Sequence, residues 1–252
     1  MDFTVVIPAR YASTRLPGKP LLDIGGKPMI QRVYEQAKKS QATRVVVATD
    51  DNRIFDRVIE FGGEACITAA DHQSGTDRLQ EAAKILGCKD NDILVNVQGD
   101  EPLIPPQVID QVAYNLEDNR EAGVATLCEP VRNDLDFNNP NVVKVVTSES
   151  GMALYFSRSP IPFPRDAGNE QLAFMADTYK PMRHIGIYGY RVSLLNQFVG
   201  WSQAPLEKLE SLEQLRFLWQ GQGIHVAKAI SEVPGGIDTQ ADLERIIQQI
   251  GG

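Results

Sequence analysis

Residues 3–20 read Phe-Thr-Val-Val-Ile-Pro-Ala-Arg-Tyr-Ala-Ser-Thr-Arg-Leu-Pro-Gly-Lys-Pro, and the architecture turns on the change of character within them. Residues 3–7 are apolar and rich in β-branched side chains, the pattern of a parallel strand buried on both faces. A polar loop follows, presenting Arg10, Arg15 and Lys19 with Ser13, Thr14 and Gly18 between them. In open α/β sheets the loop leaving the C-terminal end of the first strand is where ligands bind. Cations there neutralise a polyphosphate, and small residues leave backbone N–H groups free to cradle its oxygens. A solvated surface loop with scattered charges would explain the composition but not the placement at a strand end.

Outward from this stretch, strand and helix patterns alternate, as in βαβ units. Pro28 starts a helix that carries Met29, Ile30, Val33 and Ala37 at helical spacing. Strands are expected at residues 44–49, 65–67 and 92–98, and helices carrying Ile54 and Val58, Leu79 and Ala82, and Val108 and Val112. Beyond residue 120 the pattern loosens. Residues 142–147 and 152–156 flank Ser150-Gly151 as a hairpin, 159–164 form a proline-rich loop, and the polar 165–181 segment is a candidate lid. A strand at 184–190, helices near 194–198 and 207–220, a strand at 224–230 and a helix from about Thr239 complete the reading. The expected fold is α/β, a mostly parallel sheet with helices on both faces and a small inserted β subdomain. We read residues 1–252 as a single domain, in which 1–120 form a nucleotide-binding half. Residues 121–235 form a second part, and 236–252 a closing C-terminal helix.

A net charge of −8 argues against a general nucleic-acid binder or a membrane-surface protein, so the basic loop stands out against an acidic background. No apolar run approaches the roughly 20 residues that span a bilayer, and nothing resembles a signal peptide. Cys66, Cys88 and Cys128 are odd in number and widely spaced, which disfavours a disulfide framework or a zinc site. We read them as small core residues in a cytoplasmic protein.

Asp100 follows a strand end and the small or polar Gln98 and Gly99, a placement that suits a magnesium ligand opposite a polyphosphate loop. Asp238, before the last helix, is a second candidate, with an N-cap as the competing reading. Ser74-Gly-Thr-Asp-Arg78 opens a helix; its free N–H groups and Arg78 could meet a base or ribose, while an ordinary capped helix start explains all but Arg78. His72 and His225 read as structural, and His184, which begins a strand near the ligand edge, as either a core residue or a ligand. There is no nucleophile elbow, no Cys–His pair and no Walker or dinucleotide glycine motif. Metal-assisted phosphoryl or nucleotidyl transfer remains, in which the protein positions and neutralises rather than reacts.

With these residues assembled, the chain resembles the 3-deoxy-manno-octulosonate (Kdo) cytidylyltransferases, the CMP-Kdo synthetases. The resemblance spans nearly the whole length. It rests on residues 7–20, 70–78 (Ala-Asp-His-Gln-Ser-Gly-Thr-Asp-Arg), 96–102 (Asn-Val-Gln-Gly-Asp-Glu-Pro), 153–158, 183–191 (Arg-His-Ile-Gly-Ile-Tyr-Gly-Tyr-Arg), 212–216 and 236–239. It implies a Rossmann-like nucleotide-diphospho-sugar transferase fold and the reaction CTP plus Kdo to CMP-Kdo and diphosphate, which feeds lipopolysaccharide synthesis. By the same resemblance Arg15, Lys19 and Asp100 are catalytic. CTP would meet Ala9, Arg10, Arg15, Lys19, Ser74 and Arg78, and the sugar would meet Arg10, Gln98, Arg158, His184, Tyr188 and Glu213. Asp100 and Asp238 would hold Mg²⁺, although residues 234–238 are slightly compressed against the family's loop. A homodimer is implied, with no nucleic-acid partner and no membrane insertion. Competing readings are a cytidylyltransferase for 8-amino-Kdo or another acidic sugar, a metal-dependent glycosyltransferase, and a silent nucleotide-binding module.

Overall fold

The opening apolar run becomes β1 (Phe3–Ala9), two residues longer than the sequence suggests because pairing with β2 (Arg44–Thr49) continues through Pro8↔Ala48 and Ala9↔Thr49. The ladder to β4 (Ile93–Asn96) stops at Val6↔Asn96. Pro8 therefore sits where the strand is bonded on one side alone, and its missing N–H is tolerated. The computed structural model describes residues 1–252 except 13–15, 73, 169 and 252. Arg15, an expected phosphate ligand, lies outside the described residues.

Between and beyond these strands the chain forms α1 (Met29–Ala37), α2 (Asn52–Glu60), β3 (Ala65–Ile67), α3 (Gly75–Ile85), α4 (Pro106–Asp118), β5 (Ala122–Pro130) and α5 (Asp134–Asn138). There follow β6 (Lys144–Thr147), β7 (Ala153–Ser157), α6 (Gln171–Met175), β8 (Met182–Arg191), α7 (Val192–Phe198), α8 (Pro205–Glu210), α9 (Leu215–Trp219), β9 (Gly223–Lys228) and α10 (Gln240–Gly251). The sheet order is β3-β2-β1-β4-β8-β5-β9. On that path β8 alone runs against its neighbours, antiparallel to both β4 and β5. The β6–β7 hairpin joins the sheet through Lys144↔Arg183 and Val145↔Met182, which is the expected inserted β element.

Both faces of the sheet are buried. Phe3, Val5 and Ile7 pack with Ile30 and Val33 of α1, Ile54 of α2 and Val108 to Leu116 of α4. Val6, Val46 and Leu94 face the other way, against Leu79 and Ala82 of α3, Leu195 and Phe198 of α7 and Phe217 of α9. A smaller cluster, in which Ile237, Leu243 and Ile246 meet Ile24 and Met29, docks α10 beside the opening loop. Among the described residues no helix is long and apolar enough to cross a membrane.

Four elements depart from the sequence reading: the short helices α5 and α6, the latter inside the candidate lid, have no counterpart in it, and β5 and the helix expected over 207–220 differ as follows. β5 has no counterpart in it, because Ala-Gly-Val-Ala-Thr-Leu-Cys is a run of mostly small residues buried on both faces without alternation. The helix expected over 207–220 is broken: Ser211 adopts φ 51° and closes α8, and α9 begins only at Leu215. The break turns Glu213 and Gln214 towards the sheet edge. All three cysteines are free, and burial pushes the thiols of Cys66 and Cys128 up to about 11, as suits inert core residues.

Candidate functional site at the strand ends

Beyond their C-terminal ends β1 and β4 separate two adjoining hollows. The smaller, of about 180 Å³, is lined by Ala9, Arg10, Lys19, Gln98, Gly99 and Asp100. Its shape depends on close backbone packing, since a Cβ on Gly99 would lie 2.8 Å from the Pro8 carbonyl oxygen. Gly18, at φ 67°, turns the chain into the 3-10 turn at Lys19–Leu21 and so presents the Lys19 side chain. The Lys19 ammonium donates to Asp100 Oδ2 at 2.6 Å and to Asp238 Oδ1 at 3.2 Å. Asp238 reaches this point because the Ile237 N–H donates to the Asp100 carbonyl at 2.9 Å, with Gly236 closing over Asp100. Two carboxylates from separate loops thus converge on one cationic group. Next to them Glu101 is enclosed; burial, then the charge of Asp100, pushes its carboxyl up to about 8.

The larger hollow, about 400 Å³, shares Pro8, Arg10 and Gln98 with the first and extends to Ser74, Thr76, Asn96, Tyr188, Tyr190 and Glu213. Ser74 caps α3 in a capping box with Asp77, so the competing reading of this helix start as an ordinary capped start holds. The capped end nevertheless faces the hollow. Thr76 donates its hydroxyl to the Glu213 carboxylate, and burial raises the pKa of that carboxyl. Tyr188 and Tyr190 stack with centroids 5.7 Å apart, and burial raises both phenols.

Structure and expectation part at two arginines, and His184, expected at the sugar, meets the larger hollow only through its contact with the lining residue Tyr188. Arg78 does not line either hollow: its side chain is 0% exposed, donating to Asp50 Oδ2 at 2.7 Å and Thr68 Oγ1 at 2.6 Å. Arg158 is likewise engaged elsewhere. Its guanidinium donates to the carbonyls of Glu210 and Pro140 at 2.5 and 2.9 Å and to that of Ser211 at 3.3 Å. Cations on the last carbonyls of a helix oppose its dipole, so Arg158 stabilises the break that presents Glu213. Asn96, Tyr190 and Thr76 were not expected in the hollow. A polar residue inside an otherwise apolar strand, and the i, i+2 relation of Tyr190 to Tyr188, were the available signals.

His184 lies on the same side of β8, its ring edge-on to Phe156 and tilted against Tyr188. Burial, with Arg183 adding to it, pushes its pKa down from 6.5 to about 3. The unfolded chain then takes up a proton below the ordinary imidazole value that the folded protein refuses. Stability contributed by the neutral ring is complete above about pH 6.5 and is lost as pH falls towards the folded value, at up to about 1.4 kcal/mol per pH unit. Urea unfolding of wild type and His184→Asn across this window checks this. The wild-type free energy should fall more steeply with acid, and parallel slopes would refute it.

Hollows at the carboxyl ends of parallel strands, one walled by an ammonium and paired carboxylates, mark an α/β enzyme of the nucleotide-transferring class. A family model described as cytidylyltransferase matches residues 4–229. The 3-deoxy-manno-octulosonate cytidylyltransferase of Cellvibrio japonicus is 60% identical over 98% of this chain and 97% of its own. That of Pseudomonas fluorescens strain SBW25 is 58% identical over 99% and 98%. A solved structure of CMP:2-keto-3-deoxy-manno-octonic acid synthetase complexed with CTP superposes with a TM-score of 0.91 at 42% identity, covering 100% of this chain and 99% of that one. The chain belongs to the cytidylyltransferase family.

Proposed function

We propose that the protein transfers the CMP moiety of CTP to Kdo, giving CMP-Kdo and diphosphate. The observation that carries this is the pair of adjoining hollows with Arg10 and Gln98 lining both, since the reaction must bring two anions, a triphosphate and a carboxylated sugar, to one point. The anomeric hydroxyl of Kdo gives up its proton to water as its oxygen bonds to the α-phosphorus, the bond from that phosphorus to the bridging oxygen breaks, and diphosphate leaves with the electron pair. Lys19 neutralises phosphate oxygens in the smaller hollow. Arg10, at the junction, offsets the repulsion between the two substrates. Ser74 and the capped start of α3 face the nucleoside, with the backbone at Ala9 opposite. Gln98, Tyr188 and Glu213 line the sugar's side, with His184 against Tyr188.

The donor set at Asp100 and Asp238 fits Mg²⁺. They are hard carboxylate oxygens from two loops, already converging on one cationic atom, although among the described residues no group of three His, Cys, Asp or Glu side chains gathers here or at any other point. When bound there, the ion would supply Lewis-acid charge to the phosphates and the leaving diphosphate. The same reading places the enzyme in the cytoplasm, as a homodimer supplying lipopolysaccharide synthesis. The names of the close relatives favour Kdo over its amino variant. Diphosphate release from CTP should require both Mg²⁺ and Kdo. Equal or faster release with 8-amino-Kdo, with sialic acid or with no sugar would overturn the assignment.

A further inference from the structure

β8 is not a regular strand. Its pairing with β5 jumps from Thr126↔Tyr188 to Leu127↔Ile185, a bulge over Gly186 and Ile187. Side chains four apart on a regular strand stand about 13 Å apart, whereas the His184 and Tyr188 rings meet at 5.3 Å. Bulges re-aim side chains in this way. Two side chains hold this one. Gln98 Nε2 donates to the Gly186 carbonyl at 3.2 Å, and the fully buried Thr126 hydroxyl lies 2.6 Å from the Ile187 carbonyl and 3.0 Å from that of Ile185.

The same Thr126 oxygen lies 3.0 Å from His184 Nε2. A hydroxyl has one hydrogen. If that hydrogen went to a bare Nε2, the oxygen lone pairs would face two carbonyl oxygens at contact distance without a proton between them. The arrangement is favourable when the hydroxyl donates its one hydrogen to the nearer Ile187 carbonyl, with that of Ile185 sharing it, and accepts from an Nε2–H. A neutral imidazole protonated at Nε2 has a bare Nδ1.

We propose that Thr126 is a positioning residue that locks His184 as the Nε2–H tautomer, so that Nδ1 accepts a hydrogen bond from a hydroxyl group of the acidic sugar. The identity of that sugar rests on the function proposed above; the tautomer does not. A locked acceptor cannot pair with the sugar carboxylate, which is left to a cation, Arg10 being the one at the junction of the hollows. His184 thereby reads a donor and rejects a sugar that lacks it.

Long-range ¹H–¹⁵N correlation spectra of the imidazoles test the tautomer in the free enzyme, with the His184 signals assigned by their loss in His184→Asn. The wild type should show the Nε2–H pattern. Thr126→Val should lose it and raise the KM for Kdo roughly tenfold, the worth of one neutral hydrogen bond, with the KM for CTP within about twofold. Thr126→Ser should restore both. A wild-type Nδ1–H pattern overturns the proposal, as does a folded Thr126→Val with unchanged spectrum and KM. If Thr126→Val does not fold, Thr126→Ala decides: loss of the wild-type pattern upholds the lock and its retention refutes it. Failure of the wild type to use Kdo would instead sink the assigned reaction and leave the spectrum standing.

Discussion

Asp100→Asn is expected to lower the rate of diphosphate release by roughly a thousandfold while costing less than about 1 kcal/mol of stability. The two effects separate because Asp100 has two jobs on different atoms. Its backbone carbonyl holds Ile237, and through it the loop that brings Asp238 in; the substitution leaves that bond intact. Its carboxylate holds Lys19, yet Lys19 keeps Asp238 as a second partner, and the pair is only partly shielded from water. Structure therefore survives. What disappears is one of two negative charges that would hold a divalent cation against the phosphates, and a carboxamide of the same shape cannot replace it. Initial rates at saturating Mg²⁺ and Kdo, together with a urea unfolding curve, measure both quantities. A rate within tenfold of wild type would remove Asp100 from the machinery.

Much of this edge was legible in the chain. The Phe3-to-Ile7 run, the loop with Arg10 and Lys19, and the strand ending at Gln98-Gly99-Asp100 are local patterns, and parallel topology alone brings their ends together. What was not legible depends on partners distant in sequence. Arg78 looks the same on paper whether it reads a ligand or serves the interior; only the fold sets it against Asp50, 28 residues away. Arg158 is caught by the carbonyls at Ser211, where a left-handed residue that is not glycine ends a helix that periodicity would have continued. The bulge in β8 left no trace in hydrophobic pattern, because a strand of Gly, Tyr and Ile reads the same with or without the two extra residues. β5 was hidden by the smallness of its side chains, which lets α7 approach it closely: a Cβ on Gly123 would collide with a Leu194 methyl carbon.

Removal of the partner of Arg78 should show which of its two readings governs. The guanidinium is wholly enclosed, with Asp50 as its one carboxylate partner among the described residues and with Nε buried and unbonded. Taking a charge out of water costs several kcal/mol, repaid here by the ion pair and the Thr68 hydroxyl. Asp50→Ala strands that charge in the interior and is expected to destabilise the protein by about 3–5 kcal/mol. Asp50 itself retains some contact with water, so the loss comes from the arginine. The second substitution makes the argument sharper. Arg78→Met on the Asp50→Ala background removes the unpaired charge and refills its volume with apolar atoms, so part of the lost stability should return, a non-additivity that a simple sum of two defects excludes. Chemical unfolding of the single and double variants supplies the cycle. A cost below about 1 kcal/mol for Asp50→Ala would mean that the guanidinium can swing out to water. The arginine would then be free to meet a nucleobase at the start of α3, as the sequence pattern first allowed.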